Sequence, residues 1–439
     1  MSRLLWTIAV SLGYLLSAVT LQAAGQGEEP WDPPPRAAER KESAQESAQP
    51  KKVSVALRRS IAADNETPTF RGQSVNTWIA DLKDQDVAVR REAATALAQS
   101  IDKAGPSDQA SKALLPVLFD TLKDTDTAVR RQAALGWVRF NRNRRPQEQE
   151  AQVLLPVLLD ALHDSAWSVR QQAGFSLVIV NRDPKVVLAP LTKLLKDSDQ
   201  RVRASAAGAL GAVDPGAAAV PVLIGALDDE SADVRTPAAG SLGRLGEPAK
   251  VAVPRLIAAL KDSAPQVRSS AADALGAIRS EAKAIVPALI HALKGPREPV
   301  AWALHSNTPR ASAAWALGRL GSAAKTAVPD LVRILNDEDE YDFVRKSALK
   351  SLVEIDPEGE KTQASLIAAL KDKKAEVQST AAQLCAGLGP KAKAAVPTLI
   401  ALLTDDKDDE DGYVGYVRFC AGQALKKIDH EAAKKAGVQ

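Results

Sequence analysis

A phrase built around one arginine recurs ten times along this 439-residue chain. Two copies show it well: residues 262–276 read DSAPQVRSSAADALG, and residues 197–211 read DSDQRVRASAAGALG. The arginine, or the glutamine that replaces it once, recurs every 32 to 42 residues, at Arg90, Arg130, Arg170, Arg203, Arg235, Arg268, Arg310, Arg345, Gln378 and Arg418. Self-similarity at this period indicates stacked repeats, in which each unit contacts only its neighbours.

Each repeat is predicted to contain two helices joined by a short, aspartate-rich turn. The first helix should begin at a proline, because the first helical turn tolerates the missing N–H; the prolines are Pro116, Pro156, Pro190, Pro221, Pro254, Pro287, Pro329 and Pro397. The second helix carries the arginine, an Ala- and Leu-rich stretch and then a glycine such as Gly243, which ends it or lets the next helix approach. The sequence therefore predicts an all-α fold, an α-solenoid (superhelix) of about ten helical hairpins.

This pattern resembles the HEAT repeat, in particular the short bacterial form called the phycobilisome-lyase HEAT-like repeat. The resemblance is carried by AVPRLIAALKD at residues 252–262 and VRTPAAGSLGRLG at residues 234–246, and it covers roughly residues 70–430. It implies a helical array of a kind that mostly serves as a binding scaffold without lyase activity. It also implies that the second helices line a concave face and that an Asp–Arg ladder joins successive repeats.

Two segments precede the repeats. Residues 1–25 read as a signal peptide, with Arg3 before a long apolar run and small residues for cleavage before Gln26. The run is also just long enough to stay as an uncleaved membrane anchor, and the sequence leaves that alternative open. Residues 26–68 have the composition of a disordered linker, and the solenoid is expected over residues 69–435. We therefore expect an exported protein that is periplasmic, envelope-associated or secreted.

The charge balance argues against a nucleic-acid partner. The chain has 57 basic and 54 acidic residues and a net charge of +3, without the basic stripe that such proteins show. We expect one or more protein partners, whose identity the sequence does not give. A membrane is a partner only if the N-terminal segment remains as an anchor.

A row of paired charges runs through the repeats. An aspartate lies six residues before the arginine in eight repeats, and each can cap the second helix or pair with an arginine of its own or the next repeat. We assign these residues to a structural ladder, because a catalytic group occurs once and these recur. The ladder residues are Asp84, Arg90, Asp124, Arg130, Asp164, Arg170, Asp197, Arg203, Asp229, Arg235, Asp262, Arg268, Asp339 and Arg345, with Asp372 at the same offset.

Repeats seven and ten lack this aspartate and carry insertions at residues 295–308 and 405–416. Inserted loops of a solenoid often lie on a binding face, and the first contains Trp302. The second is acidic over residues 405–411, but it cannot be an EF-hand, since Lys407 and Arg418 would fall at ligand positions one and twelve. A looser divalent-cation site and a simple solvated loop both remain open.

The fifth residue after the arginine varies from glycine to tryptophan, whereas its neighbours are small or apolar. A variable column on a regular helix is expected to be exposed, and its large apolar members suit a partner. Leu135, Phe175 and Trp315 belong to this column, and Trp167 lies in the turn of repeat three. With Trp302, these are our candidate partner-binding residues. The alternative is that they fill gaps between repeats of unequal length.

Nothing in the sequence indicates catalysis or a cofactor. The four histidines are scattered, and no phosphate-binding loop, nucleophile elbow, haem-attachment or zinc pattern occurs. Cys385 and Cys420 lie in helical patterns and are predicted to be buried, although a disulfide is possible in an oxidising compartment. The sequence therefore favours a non-catalytic protein-binding scaffold. The second hypothesis is a bilin-lyase-like enzyme or accessory subunit that holds a small ligand in the concave groove.

Overall fold

The computed structural model describes residues 69–104, 117–141 without 119, 148–213, 216–298, 308–404 and 413–438. Every described residue belongs to one compact unit, Asp64–Gln439. The predicted signal peptide and linker lie outside the described residues, and so do Trp302 and the acidic run at 405–411.

Ten second helices are present, one for each arginine of the sequence pattern. They are Val87–Ala104, Thr127–Asn141, Trp167–Val180, Gln200–Leu210, Ala232–Leu245, Pro265–Ile278, Pro309–Arg319, Asp342–Ile355, Ala375–Leu388 and Tyr413–Ile428. The first helices of repeats one and three to ten are Val75–Asp81, Glu148–Ala161, Pro184–Leu194, Val220–Ala226, Val253–Ala259, Ala282–Leu293, Val328–Leu335, Glu360–Ala369 and Val396–Leu403. The all-α solenoid is therefore confirmed.

Short elements complete the array. A two-residue antiparallel ladder pairs Thr69–Phe70 with Gln73–Ser74 before the first helix. Ser74 then caps that helix by accepting from the N–H of Thr77, and the buried indole of Trp78 donates to the carbonyl of Phe70 at 3.0 Å. After the last repeat, a six-residue helix, His430–Lys435, is capped by Asp429. 3₁₀ turns at Gly216–Ala219, Glu247–Ala252, Gly321–Ala327 and Gly389–Ala395 lead into four of the first helices.

The prediction that a proline begins each first helix is correct in only some repeats. Where a 3₁₀ turn leads in, the proline stands in the first turn of the α-helix, as Pro254 and Pro329 do. In repeats three, four and seven the chain is already α-helical before the proline, so Pro156, Pro190 and Pro287 lie inside longer helices. Each of these prolines removes one main-chain hydrogen bond from its helix.

Glycines set the spacing between successive second helices. A Cβ added to Gly243 would lie 2.8 Å from the Cα of Ala274 in the next repeat, and one added to Gly276 would lie 2.7 Å from the Cα of Ala316. Real Cβ atoms do not approach so closely, so glycine is required for this helix contact. Gly211, by contrast, stands at the C-cap of its helix.

The two layers of helices are packed to different extents. Successive second helices contact one another far more extensively than successive first helices do, and small residues allow the second helices their close approach. The second helices therefore form the more closely packed layer of the array. That they line a concave face stays an expectation from the resemblance.

Candidate functional site

The ladder arginines bridge consecutive repeats. Nε and Nη2 of Arg235 donate to the two carboxylate oxygens of Asp262 in the next repeat, both at 2.8 Å. Its Nη1 donates to the main-chain carbonyls of Asp229 and Glu230 in its own repeat. The same carboxylate-pairing geometry joins Arg90 to Asp124, Arg130 to Asp164, Arg170 to Asp197 and Arg203 to Asp229. Arg345 instead pairs with Asp372 through Nη1 and Nη2, and its Nε donates to the carbonyl of Leu335. One guanidinium thus fixes the turn of its own repeat and the position of the next.

Each aspartate also orders its own turn. Asp262 Oδ1 accepts from the N–H of Ala264 at 2.9 Å, and Asp197 accepts in the same way from the N–H of Asp199. Burial alone would raise the pKa of Asp262, but Arg235 and the N–H of Ala264 hold it below its ordinary value. These carboxylates therefore remain charged near neutral pH and hold the array together rather than react.

The structure corrects the ladder where the repeats carry insertions. Arg268 pairs with Glu298, which comes from the inserted segment of repeat seven. Arg310 pairs with Glu340, 3% exposed, at 2.5 Å, whereas the predicted ladder residue Asp339 is exposed. The turn of repeat eight is longer than in the regular repeats, and the carboxylate that reaches the arginine is therefore the next one along the chain.

The variable column is accessible in every repeat. We call its ten residues the second-helix surface: Thr95, Leu135, Phe175, Gly208, Gly240, Asp273, Trp315, Lys350, Gln383 and Gln423. Each is half-buried or exposed, whereas the residue immediately before it is buried in all ten repeats. The sequence pattern therefore identified a row of accessible side chains along the layer of second helices.

The aromatic candidates differ in how they sit on this layer. Trp167 and Trp315 both pack against the buried core. The guanidinium of Arg201 lies 3.4 Å from the ring centre of Trp167 and covers one face of the indole. Trp315 lies over Gly276, where an added Cβ would come within 3.3 Å of its ring. Phe175 and Leu135 are half-buried on the second-helix surface.

Two exposed aromatic residues were not among the candidates predicted from the sequence. Tyr416 and Phe419, on the second helix of repeat ten, are 47% and 61% exposed. The Nε2 of Gln383 donates to the hydroxyl of Tyr416 at 2.8 Å across the repeat boundary. The residue at the position of Phe419 is buried in some repeats, as Ser269 and Ser379 are, and exposed in others, as Arg91 is. Phe419 is the only aromatic residue at this position.

Both cysteines of the chain lie in the hydrophobic core. Cys385 and Cys420 are both free and buried, and burial raises the pKa of Cys385 to about 12. No group of three or more potential metal ligands occurs among the described residues. Within the same part of the chain, no helix is long and apolar enough to cross a membrane.

The sequence of the array matches a known family. The profile of the family described as HEAT repeats matches residues 75–156, 155–243, 220–308 and 305–374, which together make up more than half of the chain. The chain belongs to the HEAT-repeat family. A search among curated proteins finds no significant match to it.

Solved structures show the same HEAT-repeat architecture in larger proteins. Kap95p with RanGDP is 12% identical, with a TM-score of 0.58 over 82% of this chain and 53% of that one. Kap95 with Nup1 is 15% identical, with a TM-score of 0.57 over 88% and 55%. Importin beta is 15% identical, with a TM-score of 0.56 over 82% and 54%. The chain spans about half the length of these structures, and at such identities they show the fold alone.

Proposed function

We propose that this HEAT-repeat protein is an exported, non-catalytic scaffold that binds a protein partner through its second-helix surface. One observation carries the proposal: the same column is accessible in all ten repeats, directly after a buried residue, and it varies from glycine to lysine and tryptophan. Packing restricts a buried column to a narrow range of apolar residues. A surface that must match a partner needs chemical variety along its length.

The second-helix surface has open space over its glycines and aromatic side chains on either side of them. Gly240 has no atom within 4 Å of an added Cβ, and Gly208 has only Pro237 at 4.0 Å, so the helix backbone is open to an approaching chain. Phe175 and Trp315 lie on either side of these glycines in the order of the repeats. Aromatic side chains on either side of an open stretch of helix backbone suit a protein interface, in which a few aromatic residues carry most of the binding energy.

The structural neighbours are consistent with such a role. Kap95p and Kap121p are solenoids of the same fold, and their structures contain RanGDP, Nup1 or Nup53p. This chain is proposed to hold a different partner by the same general means, because its identity to these proteins is low. We also propose that its repeats are of the short bacterial, phycobilisome-lyase HEAT-like type, on the phrases at 234–246 and 252–262.

Replacing Phe175 by alanine tests the proposal. We expect partner binding to weaken by about 1–3 kcal/mol, the usual effect of truncating an interface aromatic. The melting temperature should change little, because accessible side chains contribute little to stability. The partner is first captured from the envelope fraction of the producing cell, and its affinity for the wild-type and variant proteins is then titrated. A large drop in melting temperature with unchanged affinity would assign Phe175 to packing and contradict the proposal.

Export is proposed from the sequence of residues 1–25, which lie outside the described part of the chain. Expression of the full chain should give a mature protein that begins near Gln26, because small residues precede it. N-terminal sequencing of the exported fraction measures this directly. An intact Met1 in the membrane pellet would indicate an anchor, and an intact Met1 in the cytosol would contradict export.

A further inference from the structure

Arg244 differs from every ladder arginine. It lies in the last turn of the second helix of repeat five. Its Nη2 donates to the carbonyl of Gly208 in the preceding repeat at 2.9 Å and to Oγ of Ser241 at 2.6 Å. Ser241 in turn donates to the carbonyl of Ala207 at 2.7 Å. These bonds orient the guanidinium beside the second-helix surface, and they engage only one of its three nitrogens.

The charge of Arg244 has no carboxylate partner among the described residues. Residues 214–215, which lie between this repeat and the one before it, are outside that part of the chain. Desolvation by the surrounding protein lowers the pKa of the Arg244 guanidinium, while part of the side chain stays accessible to solvent. In Arg235, by contrast, the hydrogen bond to Asp262 raises the pKa. Because an arginine remains charged in proteins, Arg244 is a cation oriented by its hydrogen bonds to Gly208 and Ser241, and an incoming carboxylate can pair with it.

The surface next to Arg244 is shaped for a main chain rather than for a bulky group. Gly208, whose carbonyl holds Arg244, and Gly240, one helical turn before it, both belong to the second-helix surface and have open space above them. An extended peptide can lie across these glycines in van der Waals contact with the helices. A carboxylate on that peptide would then reach Nε and Nη1 of Arg244, which match a carboxylate in planar geometry.

The charges along the neighbouring repeats also favour an acidic occupant. The cations Arg279, Arg319 and Lys350 act together on Glu354, whose pKa is raised by the surrounding protein despite their opposing effect. Asp273, on the second-helix surface, already has an interaction of its own. Acidic and basic residues are equal in number over repeats five to eight as a whole. Within the smaller set formed by this surface and these neighbours, the cations Arg244, Arg279, Arg319 and Lys350 exceed the carboxylates Asp273 and Glu354, which favours an acidic occupant.

We infer that Arg244 receives a carboxylate from an acidic, extended segment of a protein partner, laid across Gly208 and Gly240 between Phe175 and Trp315. The inference rests on the proposed function and names the chemistry of the partner. Helices pack about 10 Å apart, so the four intervals from repeat three to repeat seven span roughly 40 Å. An extended chain of about twelve residues covers that distance.

A displayed library of random twelve-residue peptides tests the inference. It is selected against the purified full chain, and the best binder is synthesised with its Glu and Asp retained, replaced by the amides, or replaced by lysine. We expect enrichment in Asp and Glu, and binding that falls with the amide and lysine peptides. Arg244→Gln should weaken binding of the acidic peptide about 10-fold or more, since hydrogen bonds to charged groups contribute about 1.5–3 kcal/mol.

Two further variants make the result specific. Arg255→Ala removes an exposed arginine from the first helix of repeat six and should leave peptide binding unchanged. Arg244→Glu should reverse the preference, so that the lysine peptide binds better than the acidic one. Circular dichroism confirms that each variant is folded. Equal binding of the acidic peptide to wild type and Arg244→Gln, or selected peptides without acidic residues, would overturn the inference.

The failure of this inference can be separated from failure of the proposed function. Suppose the selected peptides bind Gly240→Trp more weakly than wild type but are neither acidic nor sensitive to Arg244→Gln. The second-helix surface would then still be the binding surface, and only the carboxylate site at Arg244 would be contradicted. Acidic peptides that depend on Arg244 but are unaffected by Gly240→Trp would contradict the path across the glycines. If neither Gly240→Trp nor Arg244→Gln lowers the affinity of any selected peptide, both the inference and the assignment of peptide binding to the second-helix surface are contradicted.

Discussion

Replacing Arg235 by alanine is expected to destabilise the solenoid by about 2–3 kcal/mol, at or below the lower end of the range for breaking a fully buried ion pair, because this pair is half-buried. The variant leaves the carboxylate of Asp262, whose side chain is 14% exposed, without the guanidinium that holds it. It also leaves the carbonyls of Asp229 and Glu230 without their donor. Because each repeat contacts only its neighbours, the loss falls on the junction between repeats five and six. Urea denaturation followed by circular dichroism measures it.

A double variant separates the buried charge from the rest of the effect. Arg235→Met with Asp262→Asn removes both charges while the amide oxygen still accepts from the N–H of Ala264. We expect it to recover at least half of the loss, because a neutral pair avoids the uncompensated carboxylate. Arg255→Ala is the matched control, since its exposed pairing with Asp228 should contribute about 0–1 kcal/mol. If Arg235→Ala is no more destabilising than Arg255→Ala, the ladder does not hold the array together.

The regular parts of this structure could be predicted because the same physical requirement recurs in every unit. A helix that stacks on both sides must present small residues, and a turn that faces its neighbour must satisfy the same carbonyls. In each regular repeat the ladder aspartate therefore keeps the same offset from the arginine of its own repeat, as Asp229 does from Arg235. The accessible column is visible as the position on which this packing imposes no restriction.

The sequence could not predict the parts that depend on one particular distance in space. Glu298 and Glu340 reach their arginines from turns whose lengths differ from those of the regular repeats. The six-residue offset therefore predicted Asp339 in repeat eight, where Glu340 forms the pair. Arg244 donates to the carbonyl of Gly208 in the preceding repeat, and no recurring spacing in the sequence predicts this contact. The sequence indicated Trp167 as a candidate partner-binding residue, but the guanidinium of Arg201 in the next repeat covers one face of its ring.

The second-helix surface is tested most directly by a pair of glycines in repeat five. Gly240 lies on this surface, and Gly225 lies on the first helix, Val220–Ala226; neither has an atom within 4 Å of an added Cβ. Both Gly240→Trp and Gly225→Trp should therefore fold, and each removes the helix penalty of glycine, about 0.5–1 kcal/mol relative to alanine. The two variants place the same bulky side chain on opposite layers of one repeat.

The decisive measurement is the affinity of these two variants for the partner captured with the wild-type protein. Gly240→Trp should weaken binding by roughly 30-fold or more, the loss that marks a central interface position, because the indole occupies the floor on which the partner lies. Gly225→Trp should bind as the wild type does. Full affinity in Gly240→Trp, or a loss confined to Gly225→Trp, would contradict the assignment of partner binding to the second helices.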